Sequence, residues 1–246
     1  MSETTEYAGT TSAPQAMPSF WEDLIEIFVH PSDVFQRRAN SSFVPPLLFV
    51  AIVTGIITFA TFNVLAPIFD AEFTRNSAKA IAQNPQAAAG VARMHDIAMN
   101  IFRFGTGIFL AIGILILGLV TWLVSKMVDA KTTAGQGLMI AAWAYMPRVL
   151  GSIIGSAQAL FTDPAKLTSA MATSLSPARF LDVDTANPVL FQILGRLDLM
   201  ILWETALLAI GVAVTGKITK NKAIIFAVAM WILGALPAIR TGIMQM

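Results

Sequence analysis

Arg148 and Glu204 are the two ionisable side chains set well inside long apolar stretches of this 246-residue chain. A charge within a bilayer costs several kcal/mol unless it is paired, so such residues are the first candidates for a site. Arg148 lies about 13 residues into its apolar run and Glu204 about 12 from the matching end of its own, or roughly 20 Å and 18 Å at the helical rise. Two consecutive, antiparallel helices therefore bring them to one level. The spacing predicts an Arg148–Glu204 ion pair facing the interior of a bundle. The plainer reading is a structural pair that fixes helix register. The sharper one is a site for a substrate, a proton or a lipid headgroup.

Other chemistry is poorly supplied. The histidines are His30 and His95, and there is no cysteine. Disulfides and thiolate chemistry are therefore absent. No HExxH, GxSxG or phosphate-cradling loop occurs. Asp182 and Asp184 resemble half of a cation site, but two carboxylates in a loop are usually just solvated. His95-Asp96 reads as a polar step before an apolar run. Asp198, Arg196, Asp96 and Arg103 are the remaining polar groups at the ends of apolar runs. No catalytic group, metal site or cofactor is expected.

Composition explains what must position the candidates. Hydrophobic residues make up 56% of the chain and charged residues 13%, with a mean hydropathy of +0.69. A soluble domain carries nearer a quarter charged residues, and there are too few here to cover a soluble surface. A net charge of +1 gives no footprint for nucleic acid. The partner this composition demands is the lipid bilayer, with a protein partner or a second copy in the membrane also possible.

Five apolar runs are long enough to cross it. They fall at about 44–67, 104–125, 135–161, 197–216 and 223–240, the last being the shortest. Pro45 and Pro46 suit the first turn of a helix. Pro147 should kink the third span, because it cannot donate to the carbonyl of Trp143. Gly151 and Gly155 form a GxxxG that lets another helix approach closely; Ala51/Gly55 and Gly107/Ala111 are similar small pairs. Asn84-Pro85 breaks the first long connection, with helical pieces on either side.

Residues 1–18 read as a disordered tail. Ser19 and Glu22 then form a capping box, opening a short amphipathic helix within a region at 19–39. Phe20, Trp21, Leu24, Ile25 and Phe28 share one face, and Glu22, Asp23 and Glu26 the other. Too short to span, this helix lies on the membrane or, as its acidic face favours, packs on the bundle. Trp21, Arg37 and Arg38 are candidate interface anchors, the arginines through lipid phosphates. The two short connections carry Lys126, Lys131, Lys217, Lys220 and Lys222, whereas the long ones spread their cations thinly. Short-loop cations mark the cytoplasmic side. The N-terminus is therefore expected inside and the C-terminus outside.

Taken in order, several stretches resemble the Yip (Ypt-interacting protein) family. They are Phe28-Val29-His30-Pro31-Ser32-Asp33-Val34-Phe35, then Pro45-Pro46-Leu47-Leu48, Ala144-Tyr145-Met146-Pro147, and Leu197 to Glu204 continuing to Ala209-Ile210-Gly211. The order agrees from about residue 20 onward and looks like the bacterial members. The resemblance implies an all-α membrane protein with five transmembrane helices and a cytoplasmic N-terminus. Eukaryotic members bind small GTPases and act in vesicle traffic, through relatives whose long N-terminal region is nearly missing here. The expectation is a non-enzymatic scaffold or accessory component of a membrane complex in a bacterial inner membrane. The alternative is a small transporter or permease subunit using Arg148 and Glu204 at the midplane.

Overall fold

The computed structural model describes residues 19–245, so the tail expected at 1–18 lies outside the described residues. All regular structure among them is helical. Five helices are long and apolar enough to cross a membrane, and the protein is an all-α membrane protein. "Near side" below means the side on which the first of these begins, and "far side" its opposite.

Two short helices precede the spans. Helix α1 (Phe20–Val29) opens with the capping box: the Glu22 amide donates to Ser19 Oγ and the Ser19 amide to Glu22. Pro31 disfavours helix at His30, so the chain turns there and restarts as α2 (Pro31–Arg38). The pair packs onto the bundle. The Phe20 ring lies 5.4 Å from that of Trp143, and the Phe28 ring 5.3 Å from that of Trp203. Ile27, Val34 and Phe35 are fully buried.

The apolar face of α1 is split differently from the simple two-face reading. Phe20, Leu24 and Phe28 pack inward, while Trp21, Ile25 and Val29 form an exposed stripe. Asp23 is 0% exposed. It accepts from Arg37 and, at 2.5 Å, from Arg38 Nε. Both arginines bind the acidic face of α1, so they are not held free for lipid phosphates. Burial alone would lower the Arg37 guanidinium, but hydrogen bonds to Asp23 and Glu26 outweigh it and hold it above its ordinary value.

The first span belongs to α3 (Val44–Gln83), which does not stop at 67. Pro67 is accommodated within it, and the helix ends where Asn84-Pro85 forces an end. Its 40 residues make it about 60 Å long, twice the hydrocarbon thickness. The polar half packs against α4 (Ala88–Asn100). There, His95 Nε2 lies 2.8 Å from Asp70 Oδ1, and Phe73 meets the His95 ring edge-on. Helix α4 runs through a π-helical turn, Ile101–Gly105, into α5 (Thr106–Ser125). Apolar runs mark where lipid is; the helices continue into water.

The third span, Ala134–Phe161, is interrupted at Tyr145, two residues before Pro147. Helix α6 (Ala134–Ala144) starts at a second capping box, Thr133 with Gln136. It ends at Tyr145, and α7 (Met146–Phe161) begins with Pro147 in its first turn. A proline interrupts the ladder one turn back; Tyr145, at the interruption, keeps a right-handed helical backbone, donates to the Ala141 carbonyl and accepts from the Val149 amide. The far connection carries three single-turn segments and α8 (Pro188–Gly195). Helix α9 (Leu199–Gly216) starts two residues later than its apolar run, because Asp198 caps it. Helix α10 (Lys220–Gln245) is the longer of the last two, 26 residues against 18, although its apolar run is the shortest.

Helix α6 is the centre of the bundle: Met139 to Ala144 are at most 1% exposed. Glycines allow this packing. A Cβ on Gly118 would lie 2.7 Å from Leu138 Cα, and one on Gly137 would lie 2.6 Å from the Gly118 carbonyl oxygen. Likewise, a Cβ on Gly107 would lie 2.7 Å from the Ala51 oxygen, so the small pairs of α3 and α5 meet each other.

Candidate functional site: a polar cavity beside Arg148

The break at Tyr145 positions the first candidate. It turns α7 so that Arg148 leaves its first turn toward α9, where Glu204 sits one residue after Trp203. Arg148 Nε and Glu204 Oε2 are 3.7 Å apart. That is within reach of a charge pair but beyond a direct hydrogen bond. The guanidinium also stands 5.9 Å from the centre of the Tyr145 ring. Glu204 feels a second cation, Arg196. That side chain lies across Gly234, where a Cβ would collide with its guanidinium. The Arg196 carbonyl accepts from Trp231 Nε1 at 3.1 Å, tying α10 to the start of α9.

The two partners are not equally enclosed. The Glu204 side chain is 13% exposed and that of Arg148 34%. The difference arises from a cavity of about 480 Å³ that Arg148 lines and Glu204 does not. Its walls are mostly apolar but carry several hydroxyls. Thr54 and Thr58 come from α3, Ser152 and Ser156 from α7, and Thr173 and Ser174 from the far connection. The Thr54 hydroxyl is buried without a hydrogen-bond partner. Such a group normally finds a partner in a protein or in water.

The cavity is bounded on its near and its far side. On the near side stands the fully packed wall of α6. The remaining lining follows α7 from Arg148 to Ser156 and ends under Ala170 to Leu175. Asp198 holds that cover in place: its Oδ1 caps α9 through the Met200 amide at 2.8 Å, and its Oδ2 accepts from the Leu175 amide at 2.8 Å. Arg179 adds a clasp to Gln158 at 2.8 Å.

The other sequence candidates are placed as follows. Gly151 and Gly155 line the same cavity. They serve two neighbours rather than one helix: a Cβ on Gly151 would meet Met200 at 3.0 Å, and one on Gly155 the Thr173 oxygen at 3.3 Å. Pro147 is buried at the helix break above them. Trp21, Arg37 and Arg38 stand apart, on the α1–α2 pair. Asp184 accepts from Arg75 Nε at 3.0 Å. Among the described residues no group of three or more His, Cys, Asp or Glu side chains could hold a metal ion.

The residues that sequence reasoning missed are the hydroxyls. Thr54/Thr58 and Ser152/Ser156 each recur one turn apart, a polar stripe on an otherwise apolar span. That signal is legible once sought. The contribution of Thr173 and Ser174 is not, because it depends on how a loop folds back.

The Yip1 domain family model matches residues 25–240, which takes in α2 to α9, the second half of α1 and most of α10. The chain belongs to the Yip1 domain family. Comparison with curated proteins and with solved structures returns no match. The Yip1 domain of this protein thus contains the Arg148–Glu204 contact, the Tyr145 break and the whole cavity.

Proposed function

We propose that this Yip-family protein is a non-enzymatic accessory component of a bacterial inner membrane whose working part is a binding cavity for an anionic group beside Arg148. The observation that carries the reading is Arg148 lining a cavity of about 480 Å³ while its carboxylate partner sits outside the lining at 3.7 Å. A guanidinium offers five donors in a planar fork. The Tyr145 side chain takes up one and Glu204, at 3.7 Å, few, which leaves others to an occupant. The hydroxyls of Thr54, Thr58, Ser152 and Ser156 suit a phosphate-like or carboxylate-like head, with Arg148 as its counter-charge.

Orientation follows from the lysines. Lys126 binds the carbonyls of Ala130 and Thr132, and Lys222 pairs with Asp129 at 2.7 Å. They sit at the near-side turns, which the positive-inside tendency assigns to the cytoplasm. The N-terminus is then cytoplasmic, and the segment Ala170 to Leu175 that covers the cavity faces the outside. Single cysteines at Met127 and Phe161, both well exposed, test this in a chain that has none of its own. An impermeant maleimide applied to intact cells should label position 161 and spare 127.

A second reading, transport, is favoured by one feature: the interruption of the third span at Tyr145, a point about which α7 can bend against α6. The two are separated by paired assays in reconstituted protein. Binding is read as thermal stabilisation by inorganic phosphate or by a short-chain phosphatidylglycerol, lost in Arg148→Gln. Flux of the same ligand into protein-containing vesicles would favour transport. Co-purification of a stable protein partner from native membrane supports the accessory role. If neither ligand stabilises the protein and nothing co-purifies, the binding reading fails.

A further inference from the structure

Arg103, unlike Arg148, is a cation without an acid. Among the described residues it makes no ion pair, and its Nε is buried without a hydrogen-bond partner. Its guanidinium instead stands 5.5, 4.9 and 5.3 Å from the ring centres of Phe59, Phe62 and Phe104. Aromatic faces hold a cation in place without neutralising it. The residue sits in the π-helical turn Ile101–Gly105, and such bulges are often found at functional sites. It also marks the far-side end of the apolar run of α5.

From Arg103 a groove of about 630 Å³ runs between α3 and α5, as far as Leu48 and Leu115. Its floor is Gly55 and Gly107, whose backbones nearly touch. Its rims are Ile52, Ile56, Ile108 and Ile112, each roughly half exposed or more. Along α5, Arg103 to Leu115 is 12 steps, or roughly 18 Å. A bilayer leaflet contributes about half of a 30 Å hydrocarbon core. The groove therefore has the length of one acyl chain, with a cation at its headgroup end.

We propose that this groove is a binding site for an anionic phospholipid of the far-side leaflet, its phosphate on Arg103 and one acyl chain along Gly55 and Gly107. Charge argues against a second copy as the occupant. Copies share one orientation in the membrane, and a two-fold interface uses the same patch on both. Two Arg103 side chains would then meet at one level with no carboxylate between them. This site is separate from the Arg148 cavity, which lies on the inner side of the α3–α5 wall.

The test uses the full chain in nanodiscs of mixed phosphatidylglycerol and phosphatidylcholine, followed by native mass spectrometry of retained lipid. The wild type should retain phosphatidylglycerol about tenfold over its share, as one charge-assisted contact predicts. Arg103→Gln should abolish that preference, while Ile52→Trp, which narrows the groove, should lower retention of both lipids. Excess inorganic phosphate should not displace the lipid, because the chain anchors it. The proposal is overturned if Arg103→Gln keeps the preference. It is equally overturned if Arg148→Gln alone removes it, or if a cysteine at Ile108 gives efficient disulfide-linked dimers.

Discussion

Arg148 and Glu204 face each other across 3.7 Å, yet only Arg148 reaches the cavity. The pair is therefore asymmetric in what its loss should cost. Removing Arg148 strands a mostly buried carboxylate that keeps only the more distant Arg196. Removing Glu204 leaves a guanidinium that still reaches a polar space. Breaking a buried pair costs about 3–5 kcal/mol when one charge is left enclosed. Arg148→Ala is expected in that range and Glu204→Ala at about half of it, measured by reversible unfolding in mixed micelles. A double-mutant cycle should show coupling of about 1 kcal/mol or more. Two harmless single variants with no coupling would remove the pair from any account of this fold.

Close approach of α5 and α6 rests on glycine at two facing positions. A methyl group on Gly118 would meet the Leu138 backbone, and one on Gly137 the Gly118 oxygen. Neither neighbour is a flexible side-chain end, so the helices must separate. Gly118→Ala and Gly137→Ala should each destabilise the protein by about 1–3 kcal/mol, the usual cost of overpacking. Gly90, in α4, has nothing within 4 Å of where a Cβ would sit. There Gly90→Ala should stabilise by about 0.5–1 kcal/mol through helix propensity alone. A ranking in which the three variants behave alike would contradict the packing described.

The contrast between those glycines also shows what was legible in the sequence. The number of spans followed from apolar length, and the depth match of Arg148 with Glu204 followed from helical rise. The interruption of the third span beside Pro147 matches the kink expected from its missing donor. Helix ends did not follow, because lipid sets the apolar run whereas caps and prolines set the helix. Hence α3 outruns its span by 16 residues, from 67 to 83, and α10 is longer than its apolar core. The cavity was hidden for a different reason. Its hydroxyls come from four separate elements, with Thr106 of α5 among them, and one of the four is a connection with no periodicity to read. The buried position of Asp23 was hidden too, since an acid on an amphipathic helix usually faces water. Only the fold brings Arg37 and Arg38 back over it.

Asp129 and Lys222 join the two near-side turns at 2.7 Å. The hydrogen bond to Lys222, with its charge, holds the Asp129 carboxyl below its ordinary value of 3.8. A carboxyl depressed in the folded state stabilises it at any pH above the unfolded value. That contribution is lost as pH falls through the folded value. The difference in Tm between the wild type and Asp129→Asn should thus be constant from about pH 5 upward and should shrink below about pH 4. High salt should reduce it at every pH, since the pair is exposed. A Tm difference that grows on acidification would reverse the assignment.

Asp23 fastens α1 to the chain just before α3, and its loss should release that helix. Its carboxylate is fully buried between Arg37 and Arg38, while Glu26 offers Arg37 a second, more exposed acceptor. Asp23→Ala therefore leaves Arg38 without this carboxylate and Arg37 with half of its contacts. Because the guanidiniums are about a fifth exposed, the cost is discounted from the fully buried case to about 2 kcal/mol. Local opening of α1 should then rise about thirtyfold. The absence of native cysteine makes this measurable. Ile27→Cys, at a fully buried position, should react slowly with maleimide in the wild-type background and about thirtyfold faster beside Asp23→Ala. Trp21→Cys, on the exposed stripe, should react quickly in both. Equal protection of position 27 in the two backgrounds would mean that Phe20, Phe28 and Phe35 hold the helix pair without the ion cluster.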